Sequence, residues 1–280
     1  MPITDRQVLW IAAACYAFGL LYGTLCLIRA RRHSRVAMYT VIVVGYVLQS
    51  IGLLMRGLAV KSCPIGNSFE ILQFCGWAAT TIYLFIGATF RLSMLGYFTA
   101  GLSAILATIS LSFGSWDATH SKMLSDSNPW VPMHAGLAMF GYGTFSLLAL
   151  TSLLHLIRHY SLRSKRLSGW FSFLPSLIEL DQIGTRLLGF GLALFTVAMG
   201  VGYLYWRIDK GTVDHLKVIA VFLVWAGYSA IFVARLKGRL VGHYFAIACV
   251  VLYLGALVSL DPVNRSRYPD RTQVEQAHHE

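Results

Sequence analysis

Eight near-continuous apolar stretches punctuate the chain, at about 8–28, 36–58, 71–90, 95–113, 132–157, 186–206, 217–234 and 240–260. Roughly 20 residues of helix cross a bilayer, whereas barrel strands are about ten residues of alternating character. Period two is absent from these stretches, so the expected fold is all-α: a polytopic integral membrane helix bundle of about eight transmembrane helices. Hydrophobic residues make up 56% of the chain and charged ones 12%, with a mean hydropathy of +0.62, which excludes a soluble domain of this length. The 280 residues divide into a membrane domain, 1–260, and a polar tail, 261–280, whose composition is that of a disordered segment.

The formal charge of +11 would suggest nucleic acid in a soluble protein. Here Lys and Arg sit in short connections instead, and no nucleic-acid partner is expected. Arg29, Arg31, Arg32 and Arg35 follow the first stretch, Arg158, Arg163, Lys165 and Arg166 the fifth, and Arg235, Lys237 and Arg239 the seventh. Basic connections stay cytoplasmic, so both termini are expected on the outer side. The first stretch lacks a basic leader and a convincing cleavage site, and reads as a retained helix. Five cysteines without a CxxC pair support neither zinc nor a thioredoxin-like motif. Four lie in apolar runs as small core residues, and Cys63, in a connection, leaves a free thiol or a minor redox role open.

Three connections on the expected outer side carry chemistry. In Cys63-Pro64-Ile65-Gly66-Asn67-Ser68-Phe69-Glu70, Asn67 can accept from the Glu70 amide while Glu70 reaches back to the Asn67 backbone, a capping box. A cap alone would make Glu70→Gln nearly neutral. Alternatively, Glu70 and the helix-start amides line an outer pocket. In Asn128-Pro129-Trp130-Val131-Pro132-Met133-His134, Trp130 and His134 are four apart and share a helical face. They read equally as an interfacial aromatic belt with a snorkelling histidine or as a haem-iron ligand beside an indole. In the third, Tyr205 to Lys217, His215 enters its span as His134 does, and Asp209 or Asp214 could orient the ring, or Asp214 simply caps the helix with His215 exposed beside it. His33, His155 and His159 lie in or beside basic connections and are expected to be solvated, and His243 could be buried. Ser176 and Glu179 form a second capping pattern, expected to start a short helix leading into the sixth span. HExxH, P-loop, Rossmann and GxSxG patterns are absent, and neither paired broken helices nor an intramembrane acidic relay points to a transporter.

Cys63 to Glu70, then Trp130-Val131-Pro132-Met133-His134 with Phe140-Gly141-Tyr142, then Leu177 to Ile183 with Arg186-Leu187, together resemble the CcsA-type cytochrome c assembly family, from about Val36 onward. The resemblance implies an eight-span protein of the bacterial-type inner (plasma) membrane. It further implies outer histidines that ligate haem beside a tryptophan-rich loop, and a ResB-type partner with which haem is attached to apocytochrome c. His134 falls on one such ligand position. Trp206, Asp209 and Lys210 are the remnants of the tryptophan-rich signature, Val233 stands near another family histidine, and residues 259–262 hold none. His215-Leu216-Lys217 is more like the HemX and YpjD branch, which shares the fold, lacks the full loop and is associated with regulating haem synthesis. The expected site is therefore His134 and His215 as axial iron ligands, with Trp130, Trp206, Asp209 and Glu70 around a haem cargo. Membership of a haem-attachment complex and a non-catalytic regulatory role both stay open, and no nucleophile of the chain's own is implied.

Overall fold

A computed structural model describes residues 3–29, 34–61, 63–90, 93–117, 130–164, 176–208 and 215–265. They form α1 Asp5–Ile28, α2 Arg35–Val60, α3 Ser68–Phe90, α4 Ser93–Ser112, a 3-10 turn Gly114–Asp117, α5 Trp130–Arg163, α6 Leu177–Ile208, α7 His215–Leu236 and α8 Gly242–Arg265. No strand occurs among the described residues. In hydrocarbon a backbone must satisfy its own polar groups, and an uninterrupted helix does so within one segment. Six of the eight helices are long and apolar enough to cross a membrane. The other two are α3, which carries Glu70 and Gln73, and α8, whose described apolar part is the 17-residue Gly242–Val258. The polar tail expected from residue 261 starts within α8, and 266–280 lie outside the described residues.

Helix starts follow local chemistry. Ser34 accepts from the Ala37 amide at 3.3 Å and Asn67 from that of Glu70 at 2.8 Å. Ser176 accepts from the Glu179 amide at 3.2 Å, so the expected cap is present. It does not open a separate short helix, however. The 32 residues of α6 run on from Leu177 without a break, because no proline lies between Glu179 and Arg186 and the one glycine, Gly184, costs a helix interior only about 1 kcal/mol. Between α7 and α8 the chain reverses within five residues, with Gly238 at φ 66° and Gly242 at φ 60°. Both are left-handed conformations that glycine adopts without a Cβ penalty.

The helices pack as two groups of four. In the first, α1 lies against α2 and α4, and α3 against α4; in the second, α5 lies against α6 and α8, and α7 against both of those. The groups meet where α3 runs parallel to α5. There a β-carbon at position 143 would lie 2.7 Å from that of Ala78, so Gly143 is what allows the two backbones to approach. A buried polar ladder ties the first group together. Tyr16 donates to Gln49 Oε1 (3.0 Å), Gln49 Nε2 to Gln73 Oε1 (3.0 Å), and Gln73 Nε2 to Ser110 Oγ (2.8 Å). The starts of α1, α3, α5 and α7 share one end of the bundle, the front, with the ends of α2, α4 and α6; the clustered basic connections lie at the back.

Candidate functional site

At the front, His134 lies in the first turns of α5 with its ring turned onto α6. Its Nδ1 is 2.7 Å from the carbonyl oxygen of Ala198. A carbonyl can only accept, so Nδ1 is the donor of this bond. Histidine ligands of metals and haem iron show this arrangement, in which a backbone carbonyl fixes tautomer and ring orientation. The ring lies against Gly202: a β-carbon there would be 2.8 Å from both Cε1 and Nδ1.

The two expected tryptophans lie outward of this imidazole on the same two helices. Trp130 lies one turn outward of His134 on the same face of α5, and Trp206 one turn outward of Gly202 on the same face of α6. Each is about a third exposed, at 36%, which gives an indole both an apolar contact and access from outside. His215, exposed, begins α7. Trp225 Nε1 donates to Thr196 Oγ1 at 2.9 Å and Arg235 Nε to Thr185 Oγ1 at 3.1 Å, and this antiparallel register brings His215 level with Trp206. By helical rise it sits roughly 6–12 Å farther out than His134. His134, Trp130, Trp206 and His215 thus occupy one end of the α5–α6–α7 group, and Asp209 lies outside the described residues. Among the described residues no three histidine, cysteine or acidic side chains group to hold a bare metal ion.

Glu70 lies elsewhere at the front. The contacts of Phe74 with Phe140 and of Ala78 with Gly143 put it at about the depth of His134, but α3 packs on a different face of α5 from α6. Glu70 is wholly buried. Its Oε1 accepts from Arg56 Nε at 2.7 Å and its Oε2 from the Gly66 amide at 2.6 Å. The expected reach back to the Asn67 amide is therefore replaced by one to Gly66, while Asn67 caps as expected. Arg56 also pairs with Asp117 and, at 3.4 Å, with Asp5, and Arg6 pairs with Asp117 at 2.9 Å. Both guanidiniums lie over Phe69, 5.3 and 5.6 Å from its ring centre. This knot joins α1, α2, α3 and the turn after α4. The residues around Glu70 were missed from sequence, although an arginine inside the apolar run 36–58 was itself a signal.

At the back, Arg235 donates to Asp181, Thr185 and the Leu240 carbonyl, and lies over Phe245. His155, expected in solvent, is only 5% exposed. It is covered because α6 begins at Leu177 and runs alongside this part of α5. His159 is stacked on half-buried His243 with ring centres 4.8 Å apart. His33 lies outside the described residues. Of the cysteines, Cys75 and Cys249 are buried, Cys15, Cys26 and Cys63 are partly exposed, and all five are free.

Residues 65–260 match the cytochrome c assembly protein family. The chain belongs to that family. Protein HemX of Brevibacillus brevis is 26% identical over 231 residues, covering 80% of this chain and 84% of the relative. Protein HemX of Bacillus subtilis is 23% identical, covering 87% and 89%. Cytochrome c biogenesis protein CcsA of Chlamydomonas reinhardtii is 27% identical, covering 72% of this chain and 58% of that protein. Family and helical composition together make this an integral membrane protein of the cytochrome c biogenesis class.

Proposed function

We propose that the chain handles haem at the front of the bundle in support of cytochrome c assembly, with His134 and His215 as the axial ligands. The observation that carries this reading is His134 itself, anchored through Nδ1 to Ala198, between helices that each present an indole one turn outward. The imidazoles of His134 and His215 would hold the iron of such a haem through ring nitrogens. Trp130 and Trp206 would cover the macrocycle, with Asp209 in the adjoining connection. Glu70 would act at one remove, holding the 63–67 connection through Arg56.

In this reading haem is cargo. The chain supplies ligation, an apolar wall and orientation, while thioether formation joins haem vinyl groups to the thiols of a CxxCH segment of apocytochrome c. A ResB-type membrane partner would complete the machinery, in a bacterial-type plasma membrane with the front end and both termini outside. A second reading, a HemX-like regulator of haem synthesis, is supported by the extent of the two HemX matches and by the reduced tryptophan content of the α6–α7 connection.

The test is an absorption spectrum of the protein purified in detergent. A six-coordinate bis-histidine haem spectrum is expected. His134→Ala or His215→Ala should weaken binding and leave five-coordinate or water-ligated iron that added imidazole restores. His155→Ala, at the other end, should leave the spectrum unchanged. A wild type that takes up no haem, or two single variants with wild-type spectra, would overturn the paired-ligand proposal. In a strain lacking the chain, loss of covalent cytochrome c favours assembly, whereas normal cytochrome c with altered haem precursors favours regulation.

A further inference from the structure

We infer that Gly202 is a positioning residue for the iron ligand: its missing side chain lets the His134 ring lie against α6 and keep its Nδ1–H on the Ala198 carbonyl, the orientation that a ring ligating iron through Nε2 needs. The inference rests on the haem reading and deepens it. In an α-helix the Ala198 carbonyl also accepts from the amide of Gly202, four residues on. A carbonyl oxygen has two lone pairs and can serve both donors. The ring is therefore tied to the same turn of α6 that lacks a side chain, and the two features depend on one another.

At 2.8 Å from Cε1 and Nδ1, even a methyl group at position 202 is inside contact distance. Either the ring swings away, breaking the 2.7 Å bond to Ala198, or α6 withdraws from α5. The first is the easier course, because α5 and α6 are pinned lower down, where Gly141 receives Phe195 and Gly191 receives Phe145. A ring that has left Ala198 loses its orientation and its enforced tautomer. Gly200 supplies a matched comparison: it lies two residues earlier in α6, and a β-carbon there would meet nothing within 4 Å. Both glycines gain helix propensity on replacement by alanine, so only the contact with His134 separates the two variants.

The experiment compares wild type, Gly200→Ala and Gly202→Ala, each full length in detergent and labelled with 15N-histidine. Nitrogen spectra give the tautomer of His134, assigned by its disappearance in His134→Gln, and haem titration gives affinity. The expected result is Nδ1-protonated His134 in wild type and Gly200→Ala, and loss of that state in Gly202→Ala. Haem affinity should fall about 10- to 100-fold in Gly202→Ala alone, the usual cost of removing an outer partner of a ligating histidine. A wild type that takes up no haem sinks the haem reading and leaves the tautomer comparison standing. A His134 that stays Nδ1-protonated in Gly202→Ala, or an equal loss in Gly200→Ala, sinks this inference alone.

Discussion

Glu70 shows how far a single side chain can differ from its local pattern. As a helix cap it would tolerate glutamine, since an amide oxygen still accepts from a backbone N–H. Fully buried against Arg56 it has a second task, because the guanidinium, itself only 16% exposed, needs a counter-charge. Breaking a buried pair by removing one partner leaves an uncompensated charge and costs about 3–5 kcal/mol. Asp5 and Asp117 remain beside Arg56, so Glu70→Gln belongs at the lower end of that range. Arg56→Met, which takes the guanidinium from Glu70 and Asp5 and leaves Asp117 with Arg6, should cost more, and the double variant should cost less than the sum of the two. Thermal unfolding in detergent, followed on all three variants, checks this; additive losses would mean the pair is not coupled. The cap was legible in sequence because Asn67 and Glu70 are three residues apart. The knot was not, since Arg56 meets Asp5 and Asp117 across 51 and 61 residues, separations at which spacing carries no geometric information. His134 lies between these cases: the sequence identified the residue and its Trp130 neighbour, but Ala198 and Gly202 became visible only with α6 in place.

Among the elements, the apolar stretches announced every helix, while their mutual arrangement was hidden. A helix that is apolar all round has no polar face to say which side meets protein and which meets lipid, so the contact of α3 with α5 left no stripe to read. Its mark is Gly143 against Ala78. The Gly143→Ala methyl would sit 2.7 Å from the Ala78 β-carbon and 3.0 Å from the Ala79 nitrogen, and backbone cannot yield as a side-chain tip can. A loss of about 1–3 kcal/mol is expected, typical of overpacking, seen as a lowered melting temperature. Gly136→Ala, whose methyl would meet nothing within 4 Å, should leave it unchanged. Equal melting of the two variants would mean that the helix groups are not held at this contact. The extension of α6 back to Leu177 was missed for a related reason. A helix start at Ser176 was legible, but its continuity with the sixth span and its place along the last turns of α5 were not, and His155 was assigned to solvent in consequence.

For the whole molecule the decisive quantity is direction across the membrane, because a site for outer haem chemistry must face outward. An even number of crossings returns the C-terminus to the side of Asp5, and the three most basic connections fall together at the other end, following Ile28, Arg163 and Leu236. Those connections are short enough for the positive-inside rule to apply, so the orientation proposed here puts the back in the cytoplasm and the knot, His134 and His215 outside. All five cysteines are free, and the molecule can be probed after replacing them with alanine or serine. Single cysteines at Ser125, Thr212 and Ser266 should then react with a membrane-impermeant thiol reagent on intact cells. One at Ser164, just past α5, should react only after the membrane is opened. Labelling at Ser164 with protection at Thr212 would turn the bundle over, leave the eight-helix fold intact and remove the outer haem site. A split result, with Thr212 labelled and Ser266 protected, would mean an odd number of crossings. Only α7 and α8 lie between those two positions, so α8, which unlike α7 falls outside the six helices that satisfy the spanning criteria, would be the one that fails to cross.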